Sequence, residues 1–514
     1  MKMTRRNALI AVAGAAQMPR LLGAPAAFQP TFESLANYKC PEWFRDAKFG
    51  IWAHWGPQSV PMYGDWYARR MYEEGGKDYE HHLKTYGHPS KFGWKDIIPL
   101  WKAEKFDPER LMGLYKGAGA KYFVSMGCHH DNFDLWNSKH HEWNAVKMGP
   151  KRDIVGAWQK AAKRQGLKFG VSEHLGASFT WWQGAHGSDK KGAMAGVPYD
   201  GADPKWESLY HAKALPGDKE WYTTDPRWHK EWLARITDLI DQYQPDLLYC
   251  DGALPFGEVG RTMLAHYYNS NMKNHGGKLE AVYNLKDWRG RTGHGEYVEG
   301  IGVQDVERGG LAAIKPAPWQ TDTAIGDWFY NTTWKAKDTG TMYRSPKWVV
   351  QTLVDVVSKN GNMLLNVIQR PDGSLDAEVE KLLADVTAWM KVHSEAIHGT
   401  RPFGVYGEGG TKTEEGHFKE DFAFSGADVR YTQSKDGKSV YALAMGAPAG
   451  GVMRMRALKK SGGVNQVAKV EILGQGPVKF EQTADALTVT LPPAALNPMA
   501  CGVKVTGTGW KALL

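Results

Sequence analysis

Short apolar segments that end in polar residues recur along this chain of 514 residues, and they limit the folds that it can adopt. Examples are "FGIWAHWG", "KYFVSMGCHHD", "LKFGVSEHLG", "DLLYCDG" and "NMLLNVIQ". Between several of them lie stretches such as "DIVGAWQKAAKRQG", whose apolar residues recur at helical spacing. Strands that alternate with helices predict a parallel sheet. Eight such units favour a (β/α)8-like TIM-type barrel, because a barrel places its active-site loops where these polar residues occur, at the carboxyl ends of its strands.

A doubly wound open sheet is the competing fold. It would normally carry a glycine-rich phosphate loop after its first strand, whereas "FGIWAHWG" runs into "PQSVP". The barrel is therefore the prediction.

Beyond about Arg401 the pattern changes to alternating strands and turns. "DVRYTQ" and "SVYALAM" are joined through Asp436-Gly437, a hairpin signal, and "AKVEILG" and "ALTVTLPP" follow. We predict a catalytic barrel over residues 27–401 and a C-terminal antiparallel β-sandwich over residues 402–514. The stretch from Ser188 to Asp218 is long for a connection and is expected to fold over the barrel mouth.

Residues 1–26, "MKMTRRNALIAVAGAAQMPRLLGAPA", have a basic start, an apolar run and an Ala-Pro-Ala cleavage pattern. They predict a bacterial export signal, and Arg5-Arg6 suggests the twin-arginine route, so the mature protein is expected in the periplasm or secreted. A disordered basic tail is the alternative. No other window supplies the ~20 apolar residues of a membrane span. The net charge is +8, and four of the positive charges lie in this segment, which weakens a nucleic-acid interpretation.

Polar side chains follow nearly every predicted strand, and a barrel would bring them into one pocket. In chain order they are His54 with Asp65, Trp66 and Tyr67; His129, His130 and Asp131; Glu173 and His174; Asp251; Asn284 and Lys286; Asp305 and Glu307; Trp319, Gln320 and Asp322.

Histidine and carboxylate residues in one pocket can indicate a metal site. However, the side chains of His129 and His130 would point to opposite faces of a strand and could ligate one ion only if the strand had ended. No His-x-His or His-x-x-x-His spacing accompanies them. We therefore predict no metal.

Glycoside hydrolysis is the other chemistry such a pocket offers, since it needs one carboxylate that attacks and another that protonates the leaving oxygen. Asp251 is the strongest candidate for the nucleophile, because it follows the apolar run "LLYC" and Gly252 leaves its approach open. Glu307 and Glu173 are the candidates for the acid, and Asp322 is a third. The 22 Trp and 22 Tyr residues also suit a sugar site, although most must belong to the core.

Several motifs resemble glycoside hydrolase family 29, the α-L-fucosidases. They are "WFRDAKFGIWAHWG", the pair of histidines in "HHD", the strand "LLYCDG", and "TLVDVVSKNGNMLLNV", in this order and with barrel spacing. The resemblance runs from about Cys40 to the C-terminal strands.

The resemblance implies a retaining mechanism without a cofactor, with Asp251 as the nucleophile and Glu307 in "DVERG" as the acid and base. It also implies that His54, Trp66, His129 and His130 bind the hydroxyls or stack on the ring of L-fucose. The full substrate-binding set expected from these residues and the other strand ends is His54, Asp65, Trp66, His129, His130, Glu173, Tyr249, Lys286 and Trp319.

The chain departs from the family pattern at six positions. Asp65 stands where Glu is usual, Tyr249 where Trp is usual, and Lys286 where Arg is expected. Ser172 and Glu173 replace a pair of tyrosines, and Asn132 replaces a common Gly. These departures bear on the sugar that the site accepts.

The resulting hypothesis is an exo-α-L-fucosidase that acts on a fucosylated oligosaccharide or glycan and has no nucleic-acid partner. The sequence does not determine the oligomeric state, and a homo-oligomer is one of the options. Three alternatives remain. They are an α-L-galactosidase of the same stereochemistry, an inactive carbohydrate-binding protein and a metal-dependent sugar isomerase.

Overall fold

The computed structural model describes residues 27–513, so the predicted export signal lies outside the described residues. Eight parallel strands close into a barrel in chain order. They are β1 Phe49–Ala53, β2 Tyr122–Cys128, β3 Lys168–Glu173, β4 Leu247–Cys250, β5 Val282–Lys286, β6 Val303–Asp305, β7 Trp319–Ala324 and β8 Gly361–Asn366. Gly50 of β1 pairs with Leu364 of β8, which closes the ring. The predicted barrel is confirmed.

The longer helices lie between the strands along the chain, and several of them begin with a capping side chain. They are Lys77–Thr85, Pro108–Gly117, Ile154–Gln165, Pro226–Tyr243, Glu258–Asn274, Pro346–Ser358 and Ala377–His393. Shorter helices are Phe32–Leu35, Glu42–Ala47, Tyr67–Arg70, Trp94–Ile97, Ser178–Trp181 and Glu207–Tyr210. The side chains of Asp107, Asp153, Asp225 and Ser345 accept backbone N–H groups in the first turns of four of the long helices. No helix in residues 27–513 is long and apolar enough to cross a membrane.

The alternation of strand and helix breaks down on one side of the barrel. Within the described chain, residues 287–302 join β5 to β6 and residues 306–318 join β6 to β7 without a helix. Both connections start at the carboxyl ends of their strands, which is the end of a barrel that carries active sites. They leave room at the rim for other segments.

Two antiparallel sheets follow the barrel. Six strands pair in the order β14-β13-β17-β11-β10-β9, and three pair in the order β12-β16-β15. Their bounds are β9 Thr400–Glu408, β10 Val429–Ser434, β11 Ser439–Ala444, β12 Val452–Met455, β13 Gln466–Ile472, β14 Gly476–Pro477, β15 Phe480–Gln482, β16 Leu487–Thr490 and β17 Cys501–Thr508. The predicted hairpin is confirmed, with Val429 opposite Ala444 and Gly437 at a φ of +69° in the turn.

The C-terminal sheets have their own apolar core, and buried polar contacts join them to the barrel. Tyr431, Met453 and Val503 lie in a cluster of buried side chains that is separate from the barrel core. At the interface, Arg430 Nε of β10 donates to Asp355 Oδ1 at 2.6 Å, and Asp355 belongs to the helix Pro346–Ser358. This ion pair fixes the sheets against the barrel.

Candidate active site

The carboxyl ends of the barrel strands open into a cavity of about 340 Å³. Titratable and aromatic side chains form its wall, namely Trp52, His54, Asp65, Trp66, His129, His174, Trp221, Asp251, Trp288, Arg291, His294, Glu307, Asp322, Trp328, His417 and Phe418. Parallel strands of a closed barrel end at one rim, which is why residues so far apart in the chain meet here.

Asp251 directly follows β4, whose four residues are all buried, and its own side chain is 18% exposed. Its Oδ1 lies 2.5 Å from Lys286 Nζ, and its Oδ2 lies 3.2 Å from His130 Nε2 and 3.3 Å from His174 Nδ1. Burial alone would raise the pKa of Asp251, but the charge of Lys286 and the contacts of the two histidines outweigh it and hold the pKa well below its usual range. Asp251 is therefore ionised at neutral pH.

Lys286, the last residue of β5, connects Asp251 to Glu307. Its side chain is 1% exposed, and its Nζ also donates to Glu307 Oε2 at 2.7 Å. Burial would lower the pKa of Lys286, but Asp251 and Glu307 raise it well above its ordinary value. These two contacts bring Asp251 Oδ1 and Glu307 Oε2 to within about 5.2 Å of each other. A short separation between the two carboxyl groups favours the retaining over the inverting type of glycosidase.

Glu307 follows β6 by two residues, and its side chain is 17% exposed. Its backbone is held by a segment beyond the barrel. The Glu307 N–H donates to His417 Nδ1 at 3.0 Å, and the Glu307 carbonyl accepts from the Phe418 N–H at 2.8 Å. Glu307 therefore faces the cavity from a backbone fixed on both sides.

A second carboxyl pair lies in β6 and β7. The Tyr249 hydroxyl donates to Asp322 Oδ2 at 2.9 Å, and Gln320 Nε2 donates to Asp305 Oδ1 at 2.9 Å. Burial raises the pKa of Asp322 to about 6 against the opposing charge of Lys286, and burial together with Asp322 raises that of Asp305 well above its usual range. This pair holds a proton at mildly acidic pH.

Three of the histidines that line the cavity, namely His54, His129 and His174, lie next to strand ends of the barrel. Burial holds the pKa of His54 and of His129 well below the ordinary value, so both rings are neutral at pH 7. The Gln58 amide lies 2.6 Å from His129 Nδ1, so Nδ1 accepts and Nε2 carries the proton. His54 Nδ1 and His174 Nε2 are buried without a hydrogen-bond partner among the described residues. Such atoms are normally paired, which indicates that a polar ligand completes them.

These three histidines, together with His130 and Asp251, form two groups with the spacing of metal ligands. One consists of His54, His129 and His174, and the other of His130, His174 and Asp251, with donor atoms within 4.8 Å of one another. β2 ends at Cys128, so His129 and His130 no longer alternate between the faces of a strand and both reach this region. Lys286 already occupies one oxygen of Asp251, and its positive charge opposes a cation in the second group. The neutral rings also suit sugar hydroxyls.

Most residues of the predicted site come together. His54, Asp65, Trp66, His129, Asp251 and Glu307 line the cavity. His130 and Lys286 contact Asp251 from behind the wall, and Tyr249 contacts Asp322. Asp65 Oδ1 is buried without a hydrogen-bond partner among the described residues and lies 3.5 Å from His129 Nε2. Burial and the nearby Asp327 raise the pKa of Asp65 well above its usual range.

The side chains of two further predicted residues neither line the cavity nor contact Asp251 or Asp322. Glu173 Oε2 accepts from the Leu175 N–H at 3.0 Å and from Trp232 Nε1 at 3.3 Å, so the side chain of Glu173 turns into the barrel wall. Burial there raises its pKa to about 7. Trp319 is the first residue of β7, at the opposite end of the barrel, and its Nε1 donates to the Lys359 carbonyl at 2.9 Å. Glu173 thus has no access to a ligand in the cavity. Trp319 is buried in the core of the barrel.

Sequence reasoning missed most of the aromatic wall. Five of its residues lie in loops, where no regular spacing of apolar residues identifies them: Trp221, Trp288, His294, His417 and Phe418. The high Trp content was the only signal for them in the sequence. Trp221 stacks on Trp66 at 5.8 Å and on His294 at 6.0 Å, measured between ring centroids.

The stretch from Ser188 to Asp218, expected over the barrel mouth, contributes no residue to the cavity wall. It packs against the connection between β1 and β2, where Asp189 accepts from the Tyr79 hydroxyl at 2.6 Å and Asp200 accepts from the Tyr72 hydroxyl at 2.7 Å. These buried hydrogen bonds hold the stretch beside the mouth.

Comparisons with known proteins agree over nearly the whole chain. A family model described as "Alpha-L-fucosidase" matches residues 16–395, and one described as "Alpha-L-fucosidase C-terminal domain" matches residues 424–506. The chain is 29% identical to the plasma alpha-L-fucosidase of Homo sapiens over 490 residues, which cover 92% of this chain and 90% of that protein. It is 27% identical to the tissue alpha-L-fucosidase of Homo sapiens, with 97% and 96% covered. The crystal structure of the Thermotoga maritima alpha-fucosidase in complex with fucose is similar with a TM-score of 0.70 and 27% identity, covering 93% of this chain and 100% of that chain.

Proposed function

The chain belongs to the α-L-fucosidase family, and from that premise we propose that it removes terminal α-L-fucosyl residues from fucosylated oligosaccharides or glycans. The proposed reaction is a double displacement, with Asp251 as the nucleophile and Glu307 as the acid and base. The observation that carries this assignment is the single ammonium group of Lys286, which contacts both carboxylates. Their oxygens are therefore close enough to act on one glycosidic bond.

In the first step, a carboxylate oxygen of Asp251 attacks the anomeric carbon of the fucosyl residue. The bond from that carbon to the leaving oxygen breaks, and Glu307 gives its proton to the leaving oxygen. The positive charge of Lys286 and the contact with His174 keep Asp251 ionised for this attack.

In the second step, Glu307, now a carboxylate, takes a proton from water. The resulting oxygen attacks the anomeric carbon and displaces Asp251, so L-fucose leaves with the configuration it had in the substrate. The sugar itself is bound by the neutral rings of His54 and His129, which can exchange hydrogen bonds with its hydroxyls, and by the flat face of Trp66.

The test is the release of 4-nitrophenol from 4-nitrophenyl α-L-fucoside, with the α-L-galactoside and the β-D-galactoside in parallel and EDTA in a duplicate set. We expect turnover of the fucoside that is unaffected by EDTA and falls by about 10³-fold or more in Asp251→Ala. Nuclear magnetic resonance of the fresh product should show the α-anomer of L-fucose first, because two displacements retain configuration.

A matched control is Asp385→Ala, which removes an exposed aspartate paired with Lys381 on the helix Ala377–His393. This variant should keep full activity. Glu307→Ala should slow a fucosyl disaccharide far more than the nitrophenyl fucoside, since only the disaccharide needs a proton on its leaving oxygen. Full activity of Asp251→Ala would refute the mechanism, and preference for the α-L-galactoside would refute the substrate.

A further inference from the structure

A segment that follows β9 returns to the barrel and pairs with the chain beside Glu307. The Gly416 N–H donates to the Gly310 carbonyl at 3.0 Å, and the Phe418 N–H donates to the Glu307 carbonyl at 2.8 Å. His417 Nδ1 accepts from the Glu307 N–H at 3.0 Å. The side chains of His417 and Phe418 both line the cavity.

Buried polar contacts anchor this segment two residues further on. Glu420 is buried, and its carboxylate accepts from Arg308 Nη1 at 3.1 Å, from Arg344 Nη2 at 3.0 Å and from the Thr323 hydroxyl at 2.5 Å. All three donors belong to the barrel. The segment is therefore held in place at both ends, at Gly416 and at Glu420.

Phe418 is placed in a way that folding alone does not favour. Its side chain is 64% exposed at the cavity wall, although a phenylalanine normally gains stability from burial. Its φ is +59°, in the left-handed region that aromatic residues rarely adopt. A strained backbone and an exposed aromatic ring on an anchored segment are typical of a residue that meets a ligand.

The contacts with Glu307 indicate which part of a substrate this would be. If Glu307 protonates the leaving oxygen, the leaving group must lie on the Glu307 side of the fucosyl residue. We propose that Gly416–Phe418 forms the binding site for the leaving sugar, with the ring of Phe418 stacked on the apolar face of a neutral pyranose. The proposal rests on the proposed function and adds to it the part of the chain that selects the leaving group.

His417 supplies the polar half of this site. Its Nδ1 already accepts a hydrogen bond from Glu307, so in the neutral ring the proton sits on Nε2 and can be donated to a hydroxyl of the leaving sugar. An aromatic face beside a hydrogen-bond donor matches the surface of a pyranose, which has C–H groups on one face and hydroxyls at its edge.

The experiment compares Phe418→Ala with the unmodified enzyme on two kinds of substrate. The first is a panel of α-L-fucosyl disaccharides with galactose or N-acetylglucosamine as the leaving sugar. The second is α-L-fucosyl fluoride, whose leaving group is a single atom that cannot contact Phe418. We expect kcat/KM for the best disaccharide to fall by about tenfold or more, and kcat/KM for the fluoride to change by less than about twofold.

Two further variants make the result specific. Phe418→Trp keeps a flat ring and should retain activity on the disaccharide, whereas Phe480→Ala removes another exposed phenylalanine of the C-terminal sheets and should change neither rate. Equal losses on both substrates would overturn the proposal, because Phe418 would then act on Glu307 or on the fold. Unchanged disaccharide rates in Phe418→Ala would also overturn it. If the unmodified enzyme did not turn over the fluoride, the proposed function would fail first and this proposal with it.

Discussion

Lys286 shows at the residue scale how one side chain sets the charge state of the site. Its ammonium group contacts Asp251 and Glu307 and is itself almost completely buried. A buried charge is retained only where its partners compensate for lost hydration, and here the two carboxylates do so. Where the family pattern leads us to expect an arginine, this chain uses a lysine, which is a compact charge that can lie between two oxygens.

We predict that Lys286→Met shifts the acidic limb of the pH profile of kcat/KM to higher pH. Asp251 must be ionised to attack, so the rate falls as the pH falls through the pKa of Asp251. Lys286 lowers that pKa, and its removal raises it, so the loss of activity should begin at a pH higher by on the order of 1–3 units. The pH profile of fucoside hydrolysis measures this shift.

Lys286→Arg is the control, because it keeps the positive charge. Its acidic limb should remain near that of the unmodified enzyme even if kcat falls through poorer geometry. An unshifted limb in Lys286→Met would show that the histidines alone keep Asp251 ionised.

The turn that follows β4 shows at the scale of an element why Asp251, the proposed nucleophile, is fixed. Gly252 has a φ of +156°, and a Cβ at this position would overlap the Tyr222 hydroxyl and lie 3.2 Å from Trp288 Cζ3. A side chain here therefore strains the backbone and pushes against two loops that border the cavity. Glycine is required because the backbone next to Asp251 passes so close to its neighbours.

We predict that Gly252→Ala lowers kcat by roughly 10–100-fold, because a displacement of the nucleophile by even part of an ångström spoils its approach to the anomeric carbon. In a Tyr222→Phe background the penalty should be smaller, since the atom with the worst overlap is gone. A double-mutant cycle on kcat, with Tyr222→Phe alone as the reference, measures the difference. Equal penalties in both backgrounds would show that backbone strain at Gly252, and not the Tyr222 hydroxyl, is the cause.

The whole molecule depends on buried charges between the barrel and the C-terminal sheets. Asp355 accepts from Arg430 Nε at 2.6 Å and from Lys359 Nζ at 2.6 Å, and all three side chains are buried. Lys359 Nζ also donates to the hydroxyl of Thr413, which lies after β9. The contacts hold together the two parts of the chain that the proposed leaving-group site requires.

We predict that Asp355→Ala lowers the free energy of unfolding by about 3–5 kcal/mol, because it leaves two buried positive charges without a carboxylate. Urea unfolding followed by tryptophan fluorescence measures the loss. The matched control is again Asp385→Ala, whose exposed pair with Lys381 should contribute less than about 1 kcal/mol. Similar losses in the two variants would mean that the interface charges are solvated and contribute little.

Local patterns in the chain were enough to predict the barrel, the hairpin at Gly437 and the positions of Asp251 and His129 at the ends of buried strands. Each of these features depends on residues that are close together in the chain, because strand burial and turn chemistry act over a few positions. The orientation of a single strand-end side chain was harder to predict. Glu173 ends β3 just as Lys286 ends β5, yet Glu173 turns toward Trp232 while Lys286 reaches Asp251.

Only the tertiary structure showed which distant segments complete the site. The hydrogen bond from the Glu307 N–H to the His417 side chain joins residues 110 positions apart, and the contact between Lys286 and Asp251 spans 35 positions. The residues near either partner do not predict such a long-range contact. It depends on how the barrel closes and on where the C-terminal sheets pack against the barrel. The positions of the two carboxylates at strand ends were therefore predictable from the sequence, whereas the loops that surround them in the cavity were decided by packing.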